Sequence, residues 1–191
     1  MNFSLNSIPA RSSKPREDGL TMVMDKGLSL RQTEDFIQMN GAQTDLVKFG
    51  FGTSVISPFL KEKLKLYKDA GIKTYFGGTL FEAFVIRNQF DDYVRVLEKY
   101  EMELAEVSDG SITLEHAEKC DYIAELSKRC TVLSEVGSKD ANIIIPPYKW
   151  IELMQAELDA GSWKVIAEAR ESGTVGIFRG SGEIRSGLID E

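Results

Sequence analysis

The chain repeats one pattern six times: a short apolar run, a polar residue near its end, then a segment of helical character. The runs are GLTMVMDKG (19–27), DLVKFGFG (45–52), IKTYFGG (72–78), LAEVSDG (104–110), TVLSEVG (131–137) and WKVIAEAR (163–170). Their end markers are Asp25, Lys48, Gly77, Glu106, Glu135 and Glu168, separated by 23, 29, 29, 29 and 33 residues. Strands alternating with helices predict an α/β fold built on a parallel sheet. A unit of ~30 residues suits a (β/α)8 TIM barrel, which uses about 250 residues for eight units. A doubly wound open sheet is the alternative, although no G-x-G-x-x-G follows the first run.

The segments between the runs carry helix signals. Ser29-x-x-Gln32 is a capping-box pattern ahead of Phe36, Ile37 and Met39. Ser57-Pro58 reads as an N-cap with proline at the first helical position, leading to Leu60, Leu64 and Tyr67 and closing at Gly71. Thr79-x-x-Glu82 opens a third helix, which Phe90, Val94 and Leu97 resume after a break near Asn88. Ile123 and Leu126 mark a fourth helix, and Trp150, Leu153, Met154 and Leu158 stripe a fifth that Gly161 ends. With 191 residues, 42% of them hydrophobic, the chain supports one core. The expected layout is an N-terminal arm over 1–18 and a barrel domain over 19–191.

Strand parity gives the runs a chemical side. Lys48 shares a face with Leu46, Glu106 with Leu104 and Ser108, Glu135 with Leu133, and Glu168 with Ile166 and Arg170. The same counting puts Asp25 with Val23 on that face, opposite the helices. In a parallel barrel such groups converge at the C-terminal mouth, where barrel enzymes do their chemistry.

Composition excludes several function classes. A net charge of −7 argues against a nucleic-acid surface, so any anionic substrate must be drawn by a local cluster of cations. No run of ~18 apolar residues spans a membrane, and the N-terminal stretch has no apolar core of a secretory signal. Cys120 and Cys130 are expected to be idle thiols, which fits a cytoplasmic protein. His116 is the only histidine, which leaves no multi-histidine metal site, and it is expected at the surface. Lys61, Lys63, Lys65 and Lys68 read as a solvated helix face. Gly77-Gly78 reads either as a phosphate-binding nest or as a tight strand-to-helix turn.

Six segments, KPREDGLTMVMDKGLS, DLVKFGFGTS, GIKTYFGGTLFE, EVSDGSITL, LSEVGSK and AEARESGTVGIF, resemble the phosphosulfolactate synthase family, in its order and over about residues 14 to 180. The resemblance implies a (β/α)8 barrel that adds sulfite to phosphoenolpyruvate with Mg2+, making phosphosulfolactate for sulfonate synthesis such as that of coenzyme M. It departs from the family at Ser138, where a first lysine is usual, and at Ala169, where a glycine is usual. Family members also continue for roughly two more β/α units. The expectation is therefore a chain that lacks the last two units, with open strand edges, self-association and little turnover.

Under that resemblance the residues take roles. Asp25, Glu106, Glu135 and Glu168 are the pool of hard ligands for Mg2+, with Glu135 also counted as catalytic. Lys48, also counted as catalytic, and Arg170 are anion clamps, and Lys26, Gly77, Gly78, Ser108 and Ser172 join them in binding substrate. Lys139 matches the family's candidate general acid. The expected partners are small molecules, with a possible homo-oligomer. Two other readings stay open: a barrel aldolase using a Schiff-base lysine on a phospho-carboxylate, and a non-catalytic relative of the plant heat-stress-associated type.

Overall fold

The computed structural model describes residues 5–10, 12–138, 145–169 and 172–189. Six strands alternate with helices, as the repeat predicts. β1 (Met22–Asp25), β2 (Leu46–Phe49) and β3 (Lys73–Phe76) form one parallel sheet in the order β1-β2-β3. β4 (Leu104–Ser108), β5 (Thr131–Val136) and β6 (Ser162–Ala167) form a second parallel sheet in the order β4-β5-β6. β3 packs beside β4, but no ladder joins them among the described residues, and no ladder joins β1 to β6. The α/β class and the parallel pairing hold; a closed barrel is not formed by the described residues.

The helices are α1 (Leu30–Asn40), α2 (Thr53–Ile56), α3 (Leu60–Asp69), α4 (Gly78–Val85), α5 (Phe90–Lys99), α6 (His116–Ser127), α7 (Pro147–Asp159) and α8 (Ser186–Ile189). The capping box at the start of α1 is complete, Ser29 accepting from the Gln32 amide and Gln32 accepting from the Ser29 amide. Two predicted starts move. α3 begins at Leu60 with Phe59 at its N-cap, because residues 50–56 already coil into a short turn and α2, which Ser57-Pro58 ends. α4 begins at Gly78, ahead of Thr79, and Glu82 points into the protein instead of capping. The break before α5 falls where predicted, at Asn88, whose φ is +55°.

One face of the wall packs on helices. Val47, Phe49, Phe76, Ala105, Val107 and Val132 bury against α3 to α6 in the main core. The opposite face carries a smaller apolar layer of Leu46, Tyr75, Leu104 and Leu133, with Ile166 against it. Directly above this layer, two residues further along β2, β4 and β5, lie Lys48, Glu106 and Glu135. The arm docks too: Arg16 pairs with buried Asp45 at 2.8 Å, and Lys14 donates to the Gly41 carbonyl. None of the described helices is long and apolar enough to cross a membrane.

Candidate active site

The site is built on strand parity. Lys48, Glu106 and Glu135 project from three different strands onto the face away from the helices, and they meet. Lys48 Nζ lies 2.6 Å from Glu106 Oε1 and 3.3 Å from Glu135 Oε2. Glu106 has no solvent exposure, and Glu135 is 6% exposed. Burial of charge costs several kcal/mol unless partners offset it, so this cluster is held by mutual pairing.

Its electrostatics follow. Burial alone would lower the Lys48 pKa, but the Glu106 and Glu135 carboxylates outweigh it and hold the ammonium above its ordinary value. Glu106 is pushed up by burial; Lys48 pulls it back and Glu135 pushes it further up. Glu106 Oε1 also accepts from the Gly78 amide at 2.6 Å, whereas Oε2 is buried with no hydrogen-bond partner among the described residues. The buried Tyr75 hydroxyl likewise makes no hydrogen bond of good geometry, and burial with the Glu106 charge keeps it firmly protonated.

Gly77 and Gly78 sit against this cluster. A Cβ on Gly77 would come within 2.8 Å of Lys48 Cε, and one on Gly78 within 2.2 Å of Ser108 Oγ. The Gly77 amide donates to the Phe49 carbonyl, and the Gly78 amide to Glu106. The phosphate-nest reading is therefore corrected: both amides are spent on the protein, and the pair is a tight turn that lets the chain pass the charged cluster. Ser108 is corrected in the same sense, since it is fully buried and donates to Glu82 of α4.

Asp25 lies on the other side of the wall. Its register partner is Phe49, and it points toward α3, where Lys63 Nζ lies 2.7 Å away and Tyr67 donates to it. Its other oxygen accepts from the Gly27 and Leu28 amides. Met24, not Asp25, aligns with Lys48, so the strand ends one residue earlier relative to β2 than the parity count assumed. This removes Asp25 from the carboxylate pool and Lys63 from the solvated helix face. Lys61, Lys65 and Lys68 are exposed as expected.

The remaining predicted residues fall as follows. Lys26 is exposed after β1, its ammonium 5.9 Å from the centre of the Phe51 ring. Glu168 is buried at the end of β6 beside Gly137, its amide bonded to the Val136 carbonyl. Ser172 is exposed and shares a hydrogen bond with Thr174. Lys139 and Arg170 lie outside the described residues. His116, expected at the surface, is half-buried and sits 3.3 Å from Glu157. Both cysteines are free thiols. Among the described residues no three His, Cys, Asp or Glu side chains gather as a ready-made metal site.

Tyr75 and the buried Lys119 with its carboxylate partners escaped the sequence reading, and Glu82 was read there only as part of a helix start. A signal for Lys119 was present. Lys119 stands four and seven residues before Ile123 and Leu126 on one helical stripe, and Glu157 extends the stripe of Trp150, Leu153 and Met154.

Similarity to known proteins identifies the family. The family model described as (2R)-phospho-3-sulfolactate synthase (ComA) matches residues 9–191. A phosphosulfolactate synthase of Bacillus subtilis is 40% identical over 192 residues, covering 100% of this chain and 76% of that protein. Those of Methanothermobacter thermautotrophicus and Methanocaldococcus jannaschii are 37% and 40% identical, covering 93% and 90% of this chain and 71% of each relative. The chain belongs to the phosphosulfolactate synthase family.

Proposed function

We propose that this chain joins sulfite to C3 of phosphoenolpyruvate, giving phosphosulfolactate. The observation that carries the reading, beyond family membership, is the buried ammonium of Lys48 held between Glu106 and Glu135 above the inner apolar layer. We read the six parallel strands as the wall of a (β/α)8 barrel and this cluster as part of its mouth. Both substrates are anions, so the site must offset charge before sulfur can approach carbon. Lys48, kept protonated by its two carboxylates, is one fixed cation, and Lys26, Arg170 and Ser172 are the proposed grips on the substrate's phosphate and carboxylate.

The donor set fits Mg2+. This ion commonly binds through one or two carboxylates, completing its shell with water and substrate oxygens. Glu106, whose Oε2 is buried and unpartnered among the described residues, and Glu135 are the residues that would hold it, with Glu168 as a third candidate. When bound, it supplies Lewis-acid stabilisation of charge developing on the substrate carboxylate. The sulfur lone pair forms the new bond to C3, the C2–C3 π electrons move toward C2, and C2 takes a proton from Lys139 in this proposal.

The aldolase reading needs an uncharged amine to form an imine. The carboxylates around Lys48 favour its ammonium form instead, which supports the sulfite reading. The test is phosphorus NMR of the chain with phosphoenolpyruvate, sulfite and Mg2+. The expected result is a phosphosulfolactate resonance that requires all three. Borohydride trapping of a substrate-derived adduct, with no sulfite-dependent product, would overturn the proposal.

A further inference from the structure

We propose that Lys119 is a positioning residue for the Lys48–Glu106–Glu135 cluster, fixing the end of β5 from the side opposite the chemistry; the inference rests on the cluster being the active site. Lys119 lies in α6 and is 1% exposed. Its ammonium has three donors and three acceptors: Asp109 Oδ1 at 2.8 Å, Glu157 Oε1 at 2.7 Å and the main-chain carbonyl of Glu135 at 2.6 Å. Asp109 directly follows β4, and Glu157 belongs to α7. One side chain therefore ties the C-terminal ends of β4 and β5 to both helices behind them.

The third bond gives this tie its consequence. Glu135 is the residue whose carboxylate meets Lys48 on the other face, so Lys119 holds its backbone while Lys48 holds its side chain. Glu135 also pairs in register with Ser108, two residues beyond Glu106 on the same strand. A shift at the Glu135 carbonyl thus moves the carboxylate relative to Lys48. A structural tie between α6 and α7 alone needs no cation here, because buried ion pairs are commonly replaced by apolar groups without loss of stability. A lysine with one donor aimed at the Glu135 carbonyl is what positioning requires.

The test uses two variants of the full chain, Lys119→Met and Lys119→Met/Glu157→Gln; the second removes the fully buried carboxylate that the first would strand. The first readout is the 15N-labelled side-chain ammonium resonance of Lys48, which reports the cluster whether or not the chain turns over. The expected result is that this resonance shifts in the folded double variant. The second readout is turnover, where kcat should fall by about 10- to 100-fold with KM for phosphoenolpyruvate little changed, the usual result of misplacing a reacting group. Lys119→Arg, which keeps a charged donor, should recover part of kcat. An unmoved Lys48 resonance in a folded double variant, or wild-type kcat there, would overturn the positioning role. If the unaltered chain forms no phosphosulfolactate, the proposed function fails, and the resonance still decides the positioning role.

Discussion

Replacing Lys48 by methionine isolates the energetics of the candidate site. The substitution keeps side-chain volume but leaves two carboxylates, one with no exposure and one 6% exposed, without the cation between them. Removing one partner of a buried ion pair typically costs about 3–5 kcal/mol. That cost should depend on pH, and its sign follows from Glu106. Burial already raises its folded-state pKa above the ordinary value of 4.5, with Lys48 pulling the other way, so losing Lys48 raises it further. A raised pKa means the folded protein binds the proton more tightly than the unfolded chain. The resulting stabilisation is fully present below the ordinary carboxylate pKa and is lost as pH rises through the folded value. Relative to the parent, Lys48→Met should therefore be only mildly destabilised near about pH 5 and strongly destabilised near about pH 8, each unit of added shift contributing about 1.4 kcal/mol. Urea denaturation of both proteins across this range measures the difference. Lys48→Met/Glu106→Gln should recover the pH-dependent part. A penalty equal at both ends of the range, or below about 1 kcal/mol near pH 8, would refute the reasoning.

Other outcomes are expected. Asp25→Ala strands buried Lys63 and frees the Gly27 and Leu28 amides, so urea midpoints should report a loss of about 3–5 kcal/mol, unlike the near-neutral effect of changing a solvated loop acid. Gly78→Ala places a methyl 2.2 Å from the buried Ser108 hydroxyl and should cost about 1–3 kcal/mol in thermal melts, whereas Gly180→Ala, with nothing within 4 Å, should change little. Lys139→Ala should lower kcat by about 10²-fold in the phosphorus NMR assay while phosphoenolpyruvate still binds, the scale of a lost general acid. Glu135→Gln should raise the Mg2+ concentration needed for half-maximal turnover without unfolding the chain, as read by activity titration and circular dichroism.

The elements were legible because each strand–helix unit repeats at near-constant length, and because alternating residues sort cleanly between two faces. Lys48, Glu106 and Glu135 were found this way, from three runs with no local motif in common. Lys63 and Lys119 were not, although their periodicity was plain: Lys63 lies between Leu60 and Tyr67 on one helical stripe, and Lys119 heads the stripe of Ile123 and Leu126. Lys63 was read as solvated and Lys119 was passed over, because a buried partner of each sits far along the chain. Asp25 is 38 residues before Lys63, and Glu157 is 38 after Lys119. Only tertiary structure brings such a pair together. The seam between β3 and β4 was equally hidden, since both runs look alike in sequence while the Gly78 amide turns to the Glu106 side chain.

Charge balance within the cluster bears on its chemistry. With both carboxylates ionised, Lys48, Glu106 and Glu135 sum to −1, an unfavourable setting for two anionic substrates. Either Glu106 carries a proton, in the direction that its burial already pushes it, or further cations must approach the same oxygens. A carboxylate so poised can switch between neutral and ionised forms as a cation arrives, because each added positive charge lowers its pKa. Glu106 Oε2, unpartnered among the described residues, is the oxygen on which that exchange would act, and Lys48 is already committed to Oε1 and Glu135. Among the described residues the buried triad carries one more negative than positive charge when both carboxylates are ionised, which sets it apart from a neutral salt bridge that only stabilises the fold. A further positive charge at those oxygens is what the proposed joining of sulfite to phosphoenolpyruvate requires.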